Sequence, residues 1–348
     1  MGTAPRNAPC LALLPASEAE ALRWAIAGFG EIADKAVAPA ILKHQGSELA
    51  AICRRSAAEL DKYGRKFGVA DTFTDYKDML EWGQFDAVYV ATPVDLHAPQ
   101  TLEALSRGFH VLVEKPMAMS ADEAESMVDA ATARNLTLGI AYYHRLIPVN
   151  LRVREIVTSG EMGDLVALHG NASSLFSLPP THPKYWRVNF AQSGGGPLVD
   201  VGTHRLDLFH ALAGPAARVA GFAKQRFVDG DVEDVCSLVV EYTSGVQATL
   251  SSLWCVSPGR GDYEVMCTQG RIQVPDIRGQ RIVIQSGDGE RELIVPPDEL
   301  HDLPLIERFV DAAEGRSELE LSGEAGLEVQ RITDAVYKSA STGTMIHL

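Results

Sequence analysis

Leu22-Arg-Trp-Ala-Ile-Ala27-Gly28-Phe29-Gly30-Glu31-Ile32-Ala33 is the stretch that decides the fold. Six residues of apolar character read as a buried strand, two glycines follow at once, and a helical pattern runs over Ile32–Lys43. In a dinucleotide-binding turn the first glycine permits the sharp bend and the second lets a pyrophosphate approach the backbone. A small third residue, here Ala33, keeps helix and strand close. The helix start then offers free N–H groups and the positive end of its dipole to phosphate. Gly28, Phe29, Gly30, Glu31 and Ile32 are therefore the first candidate cofactor contacts.

Outward from this turn, short apolar runs alternate with helical patterns. Strands are expected at 48–53, 69–73, 85–90, 109–113 and 136–141, with helices at 57–67, 76–82, 96–107 and 121–134 between them. Such alternation predicts a doubly wound parallel sheet with helices on both faces. Near residue 146 the pattern changes. A helix at 149–159 precedes strands at 165–175, 217–227, 234–242, 246–253, 263–267, 271–274, 281–284 and 292–295, and helices at 303–314 and 323–341 close the chain. Closely spaced strands predict a largely antiparallel sheet, so the second half reads as α+β. The expected segments are an arm over 1–21, a Rossmann domain over 22–146 and a second domain over 147–348.

Composition narrows the function classes. The chain has 348 residues, 46% hydrophobic, with 46 acidic against 31 basic side chains and a net charge of −15. No basic cluster suits a nucleic acid. No run reaches the roughly 20 apolar residues of a membrane span. Five scattered cysteines form neither a C-x-x-C pair nor a disulfide framework, which points to a reducing cytoplasm. Zinc-binding H-E-x-x-H, the G-x-S-x-G elbow and the G-x-x-x-x-G-K-[ST] loop are absent from the sequence, so no metal is expected.

Three further pieces carry chemistry. The strand at 109–113 ends in Glu114-Lys115-Pro116, and a lysine there points into the crevice where doubly wound sheets bind ligands. Pro116 biases Lys115 towards an extended backbone. At the end of the second strand, where a carboxylate would hold an adenosine ribose, stand Arg54, Arg55 and Ser56. Guanidinium groups match a 2′-phosphate, which predicts NADP(H) over NAD(H). Finally Ser193-Gly-Gly-Gly196-Pro197 leads into Asp200-Val-Gly-Thr-His204. Four residues apart on one helix, Asp200 and His204 would share a face, with the carboxylate orienting the imidazole and favouring its charged form. His97, after Thr92-Pro93 at the end of the fourth strand, is placed to line the cofactor crevice.

Together these residues resemble the Gfo/Idh/MocA family, the glucose–fructose oxidoreductase and inositol dehydrogenase group. The likeness runs over nearly the whole chain after the arm. It rests on Gly28-Phe-Gly30, Asp86-Ala-Val-Tyr-Val-Ala-Thr92-Pro93 with His97, Glu114-Lys115-Pro116, Tyr143-His-Arg145-Leu-Ile-Pro148, Trp186-Arg187, the Gly194–Gly196 loop, Asp200 to His204 and the closing helix near Ala335–Gly343. The resemblance implies a Rossmann domain followed by an open, mostly antiparallel sheet that binds substrate and forms the contact of a homodimer or homotetramer. It implies Lys115, Asp200 and His204 as the catalytic set, with Arg145, Trp186 and Arg187 beside the substrate. Val94 departs from the Asn that the family usually places after Thr-Pro.

The expected activity is hydride exchange between a nicotinamide and a secondary alcohol or ketone of a sugar, cyclitol or sugar derivative. His204 would move the hydroxyl proton, Lys115 would stabilise the reacting oxygen, and Asp200 would fix His204 or hold a neighbouring hydroxyl. Two alternatives stay open: a catalytically silent, sugar-sensing regulator on the same fold, and a glycosidase working by transient oxidation with a held NAD.

Overall fold

Continuous apolar runs make strands that can be buried on both faces, and the first sheet is built from six of them. In a computed structural model that describes residues 21–348, these are β1 (Leu22–Ala27), β2 (Ser47–Cys53), β3 (Asp71–Phe73), β4 (Ala87–Val90), β5 (His110–Val113) and β6 (Leu138–Ile140). The arm expected over 1–21 lies, apart from its last residue, outside the described residues. All pairings are parallel, in the order β3-β2-β1-β4-β5-β6. The order reverses beside β1, which opens a crevice at the carboxyl ends of β1 and β4.

The connecting helices are α1 (Ala38–Lys43), α2 (Ala57–Phe67), α3 (Tyr76–Trp82), α4 (His97–Ser106) and α5 (Ala121–Thr132). Their ends carry the expected punctuation. Asp75 and Ser120 accept backbone N–H bonds at the starts of α3 and α5, and Gly68 and Gly83 end α2 and α3 in the left-handed conformation. One expectation changes: the helix predicted at 32–43 opens with a π-turn over Ala33–Val37 before α1.

The second half holds α6 (Pro148–Thr158), β7 (Leu165–Leu175), the single turn α7 (Phe190–Ser193), α8 (Thr203–Ala213), β8 (Ala216–Lys224), β9 (Val235–Tyr242), β10 (Gln247–Leu253), β11 (Cys255–Arg260), β12 (Tyr263–Cys267), β13 (Gly270–Val274), β14 (Arg281–Ser286) and β15 (Gly289–Ile294). After these come α9 (Leu303–Ala313), α10 (Gly323–Thr342) and β16 (Ile346–His347). The sheet order is β15-β14-β13-β12-β7-β10-β9-β8-β16, with β11 paired to β7. Its pairs are antiparallel except β7 with β10, so the sheet is mixed. Residues alternate strictly along β9 and β10, burying one face and exposing the other. α8 covers the buried face, its Phe209 ring packed so close to Gly170 that a Cβ there would lie 3.0 Å from it.

The last two helices return to the first sheet. Leu321 accepts the Ile140 N–H at 2.9 Å, and Asp334 on α10 accepts the Ala121 N–H at the start of α5 at 2.7 Å. One continuous apolar core therefore runs from β1 to α10, and the mouth of the crevice is held between the two sheets. Among the described residues no helix is long and apolar enough to cross a membrane.

Candidate active site

A cleft of about 1470 Å³ runs from the glycine turn, across the end of β5, to the strands of the second sheet. At its nucleotide end Gly28 adopts φ +80°, and a Cβ there would lie 2.7 Å from the Thr92 nitrogen, so only glycine fits the turn. The Gly28 and Phe29 N–H groups both donate to the Cys53 carbonyl at 3.0 Å. The helix start from Gly30 onward is thus what faces the cleft, and a Cβ on Gly30 would meet only the Gly28 carbonyl oxygen, at 3.6 Å. Such an open cradle at a helix N-terminus fits a dinucleotide pyrophosphate.

Glu31 and Ile32 line this end of the cleft, but Phe29 does not. Its ring is buried against Tyr63 and Phe67, at centroid distances of 4.9 and 5.5 Å, so it holds the turn from beneath. Glu31 pairs with Lys184 and Lys35, and those ammonium groups hold its carboxyl at about 2. Lys184 belongs to the second half of the chain, so this pair spans the cleft.

Arg54, Arg55 and Ser56 all line the cleft beyond β2. Arg54 donates to the Phe29 carbonyl at 2.6 Å and pairs with Glu59. Thr92, Pro93 and His97 line the opposite wall. The buried His97 ring bridges the Pro116 and Thr92 carbonyls at 2.8 and 2.9 Å, fastening the two loops that follow β4 and β5. Val94 is buried at the same wall.

Lys115 projects from the end of β5 across to the second half of the chain. Its Nζ donates to the Asp200 carbonyl at 2.5 Å and lies 3.7 Å from the Asp200 carboxylate. Behind it, the half-buried Glu114 carboxylate accepts the Tyr89 hydroxyl at 2.7 Å and the Lys115 N–H at 3.1 Å. Arg187, stacked near the Trp186 ring, approaches the Asp200 carboxylate at 3.5 Å. Burial alone would raise the Asp200 carboxyl, but Lys115, Arg187 and Lys184 outweigh it and hold the group below the usual carboxylate range.

The expected pairing of Asp200 with His204 does not form. Asp200 lies in a π-turn over Leu198–Gly202, whose wider loop breaks the four-residue stacking of an α-helix, and its carboxylate turns to Lys115 and Arg187. His204 is buried, and its Nδ1 has no hydrogen-bond partner among the described residues. Its ring stacks on His144 at 3.8 Å and 17°, with Tyr142 and Tyr143 edge-on at 5.8 and 5.6 Å. Burial, with His144, Lys115, Arg205 and Arg278 nearby, drives the imidazole well below 6.5. The ring is therefore neutral, the reverse of the charged form expected from a carboxylate partner.

Arg145 is also corrected. It does not line the cleft; its guanidinium is buried in a two-point pair with Asp207, Nε to Oδ2 at 3.0 Å and Nη2 to Oδ1, and donates to the Glu320 carbonyl at 3.0 Å. The glycine loop serves a purpose the sequence does not reveal. A Cβ on Gly196 would lie 1.8 Å from the Glu233 carbonyl oxygen. The buried Glu233 carboxylate accepts the Gly196 and Leu198 N–H groups at 2.8 and 3.2 Å and the Tyr337 hydroxyl at 3.0 Å. The close approach is to protein, and it seats the π-turn that carries Asp200. Four further residues shape the site without a signal of their own: Glu233 and Lys184 stand outside every motif, while His144 and Arg205, inside the Tyr143–Pro148 segment and just after His204, are set apart only by their burial. Among the described residues no cluster of His, Cys, Asp or Glu is arranged to hold a metal ion.

A family model described as an oxidoreductase family with an NAD-binding Rossmann fold matches residues 22–142, and the corresponding carboxyl-terminal domain model matches 150–273. The chain is 36% identical to the dTDP-3,4-didehydro-2,6-dideoxy-alpha-D-glucose 3-reductase of Streptomyces violaceoruber, over 92% of this chain and 96% of that protein. It is 30% identical to the D-xylose 1-dehydrogenase (NADP(+)) 2 of Haloferax volcanii, over 94% of this chain and 100% of that protein. The crystal structure of the aldose-aldose oxidoreductase from Caulobacter crescentus complexed with glycerol superposes with a TM-score of 0.87 at 26% identity, covering 94% of this chain and 100% of that one.

Proposed function

The chain belongs to the Gfo/Idh/MocA family of NAD(P)-dependent oxidoreductases, and we propose that it reduces a ketone or oxidises a secondary alcohol on a sugar, cyclitol or sugar derivative, with NADP(H) as the preferred cofactor. The observation that carries this reading is the convergence of Lys115, Asp200 and His204, from β5, the π-turn and α8, on one cleft that begins at the glycine turn. When bound, the nicotinamide supplies or takes the hydride.

The residues divide the remaining work. A neutral, sterically fixed His204 is ready to accept the hydroxyl proton in the oxidative direction, a role typically worth about 10²–10⁴ in rate. The Lys115 ammonium stabilises negative charge on the reacting oxygen. Asp200 holds that ammonium in place through its carbonyl and carboxylate. Trp186 and Arg187 close the wall above Asp200. Arg54 and Arg55, with Ser56 at the start of α2, support recognition of a 2′-phosphate. Binding NADPH requires Arg54 to exchange Glu59 for that phosphate. The exposed Phe222 and Val239 on the open face of the second sheet support a homo-oligomer.

Following NADPH absorbance across keto-sugars, aldoses and inositols tests the activity, with dissociation constants for NADPH and NADH measured alongside. The reading expects turnover of at least one class and tighter NADPH. NADH binding more tightly would refute the cofactor preference, and no turnover across the panel would refute the activity.

A further inference from the structure

Past His204 the cleft is walled by Gly259–Gly261, at the end of β11, and by Pro275–Arg278, between β13 and β14. Arg205 follows His204 on α8 and lines the same cleft. One residue on along a helix is about a 100° turn, so the guanidinium reaches a different wall from the imidazole. It passes Gly261, where a Cβ would lie 3.1 Å from Arg205 Nη2.

Arg205 is 4% exposed and poorly partnered. Its Nη1 donates to the Val201 carbonyl at 3.1 Å, while its Nε has no partner among the described residues. No carboxylate among those residues comes within 4 Å of it. Asp262 is engaged by Asn171 at 2.9 Å and Arg260 at 3.0 Å, and Asp276 accepts the Arg278 N–H at 2.9 Å. Burial pushes the Arg205 guanidinium down to about 10, with the two aspartates acting only from farther off. The fold treats its other buried arginine differently, giving Arg145 a two-point carboxylate.

Arg278, exposed at the same end of the cleft, also lacks an ion-pair partner among the described residues. Lys115 and Arg187, by contrast, are both committed to Asp200. A buried donor without a partner calls for an explanation, and a guanidinium fork matches the paired oxygens of a carboxylate or phosphate.

We propose that Arg205 and Arg278 form a receptor for an oxyanion on the substrate, so that the sugar acted on carries a carboxylate or a phosphate. This rests on the reading that the cleft turns over a sugar. It goes further by naming the group that distinguishes the substrate.

The test is cofactor-linked turnover of glucose, galactose and mannose beside their uronic acids, 1-phosphates and nucleoside diphosphate derivatives. Wild type, Arg278→Gln and Arg205→Lys are compared, the exposed Arg278 being the variant that leaves the core intact. Calorimetric titration of the NADP⁺-loaded protein with glucuronate and glucose 1-phosphate runs in parallel. An anionic sugar should exceed its neutral counterpart in kcat/KM by about tenfold or more, and each variant should collapse that preference through KM. A preference for uronic acids identifies a carboxylate, and one for the phosphorylated sugars identifies a phosphate; either supports the proposal. Equal turnover of neutral and anionic sugars, or a preference that survives both substitutions, overturns it. If no sugar is turned over, the activity reading fails and calorimetry decides the receptor alone. Binding that Arg278→Gln weakens supports it; binding of neither anion to wild type, or binding that Arg278→Gln leaves unchanged, overturns it.

Discussion

Replacing Arg145 by methionine separates a structural role from a substrate role. The Arg145 guanidinium and the Asp207 carboxylate are 6% and 0% exposed and share two contacts, and a third arm of the arginine satisfies the Glu320 carbonyl. Burial already raises the Asp207 carboxyl, and Arg145 is the strongest force acting against that rise. Removing the arginine leaves a buried carboxylate alone, which costs about 3–5 kcal/mol. That is a large part of the roughly 5–15 kcal/mol that holds a domain folded.

The loss has a defined pH dependence. In the variant the native Asp207 binds a proton that the unfolded chain has released. Stability therefore falls as pH rises above the unfolded pKa and is least impaired near the acid end of that window. Urea unfolding at pH 5.5 and pH 8 reads this directly, and Arg145→Met with Asp207→Asn should recover part of the loss. A variant that unfolds like wild type at both pH values, yet raises the sugar KM strongly, would refute this reasoning and return Arg145 to the substrate site.

Three other outcomes follow from the geometry. Because burial and the surrounding cations hold His204 and His144 well below 6.5, kcat/KM for alcohol oxidation should be flat from about pH 6.5 to 8; a protonation break within that interval would contradict a neutral imidazole. Burial and the nearby Glu114 raise the Asp302 carboxyl to about 7. The native state thus holds a proton that the unfolded chain loses above its carboxylate pKa, and wild type loses stability as pH rises from about 4 to 7. Asp302→Asn should therefore be more stable than wild type at pH 8 and nearly equal at pH 4.5, by thermal melts; an equal difference at both would sink the assignment. Gly196→Ala places a Cβ 1.8 Å from the Glu233 carbonyl oxygen. It should abolish turnover while NADPH still binds the glycine turn, and normal activity would show that the loop is not seated on Glu233.

Local signals were legible and long-range pairings were not. The strand, turn and helix around Gly28 depend on neighbours in sequence, and so does the helix over Ala57–Phe67, whose bounds match the expectation. The partner of Arg145 lies 62 residues away, and no spacing rule chooses between Asp207 and a substrate. Asp200 and His204 look stacked only if the segment is an α-helix, and the π-turn seated by Glu233 removes that premise. Glu233 itself sits in the acidic run Asp229–Asp234, which reads as a solvated loop until Tyr337 and the glycine loop close over it. β11 is hidden because it contains Pro258 and Gly259, residues that speak against a strand. Arg205 resembles any helical arginine until its burial and missing partner are seen.

In the proposed reaction Lys115 acts on the reacting oxygen and not on the dinucleotide. Single-turnover hydride transfer by Lys115→Ala, with the NADPH dissociation constant measured on the same preparation, tests it most directly. The expected rate is lowered by about 10²-fold or more, the scale of losing one charged stabiliser of a developing oxyanion, with NADPH affinity within a few-fold of wild type. A near-normal transfer rate, or a loss explained entirely by weakened NADPH binding, would contradict it.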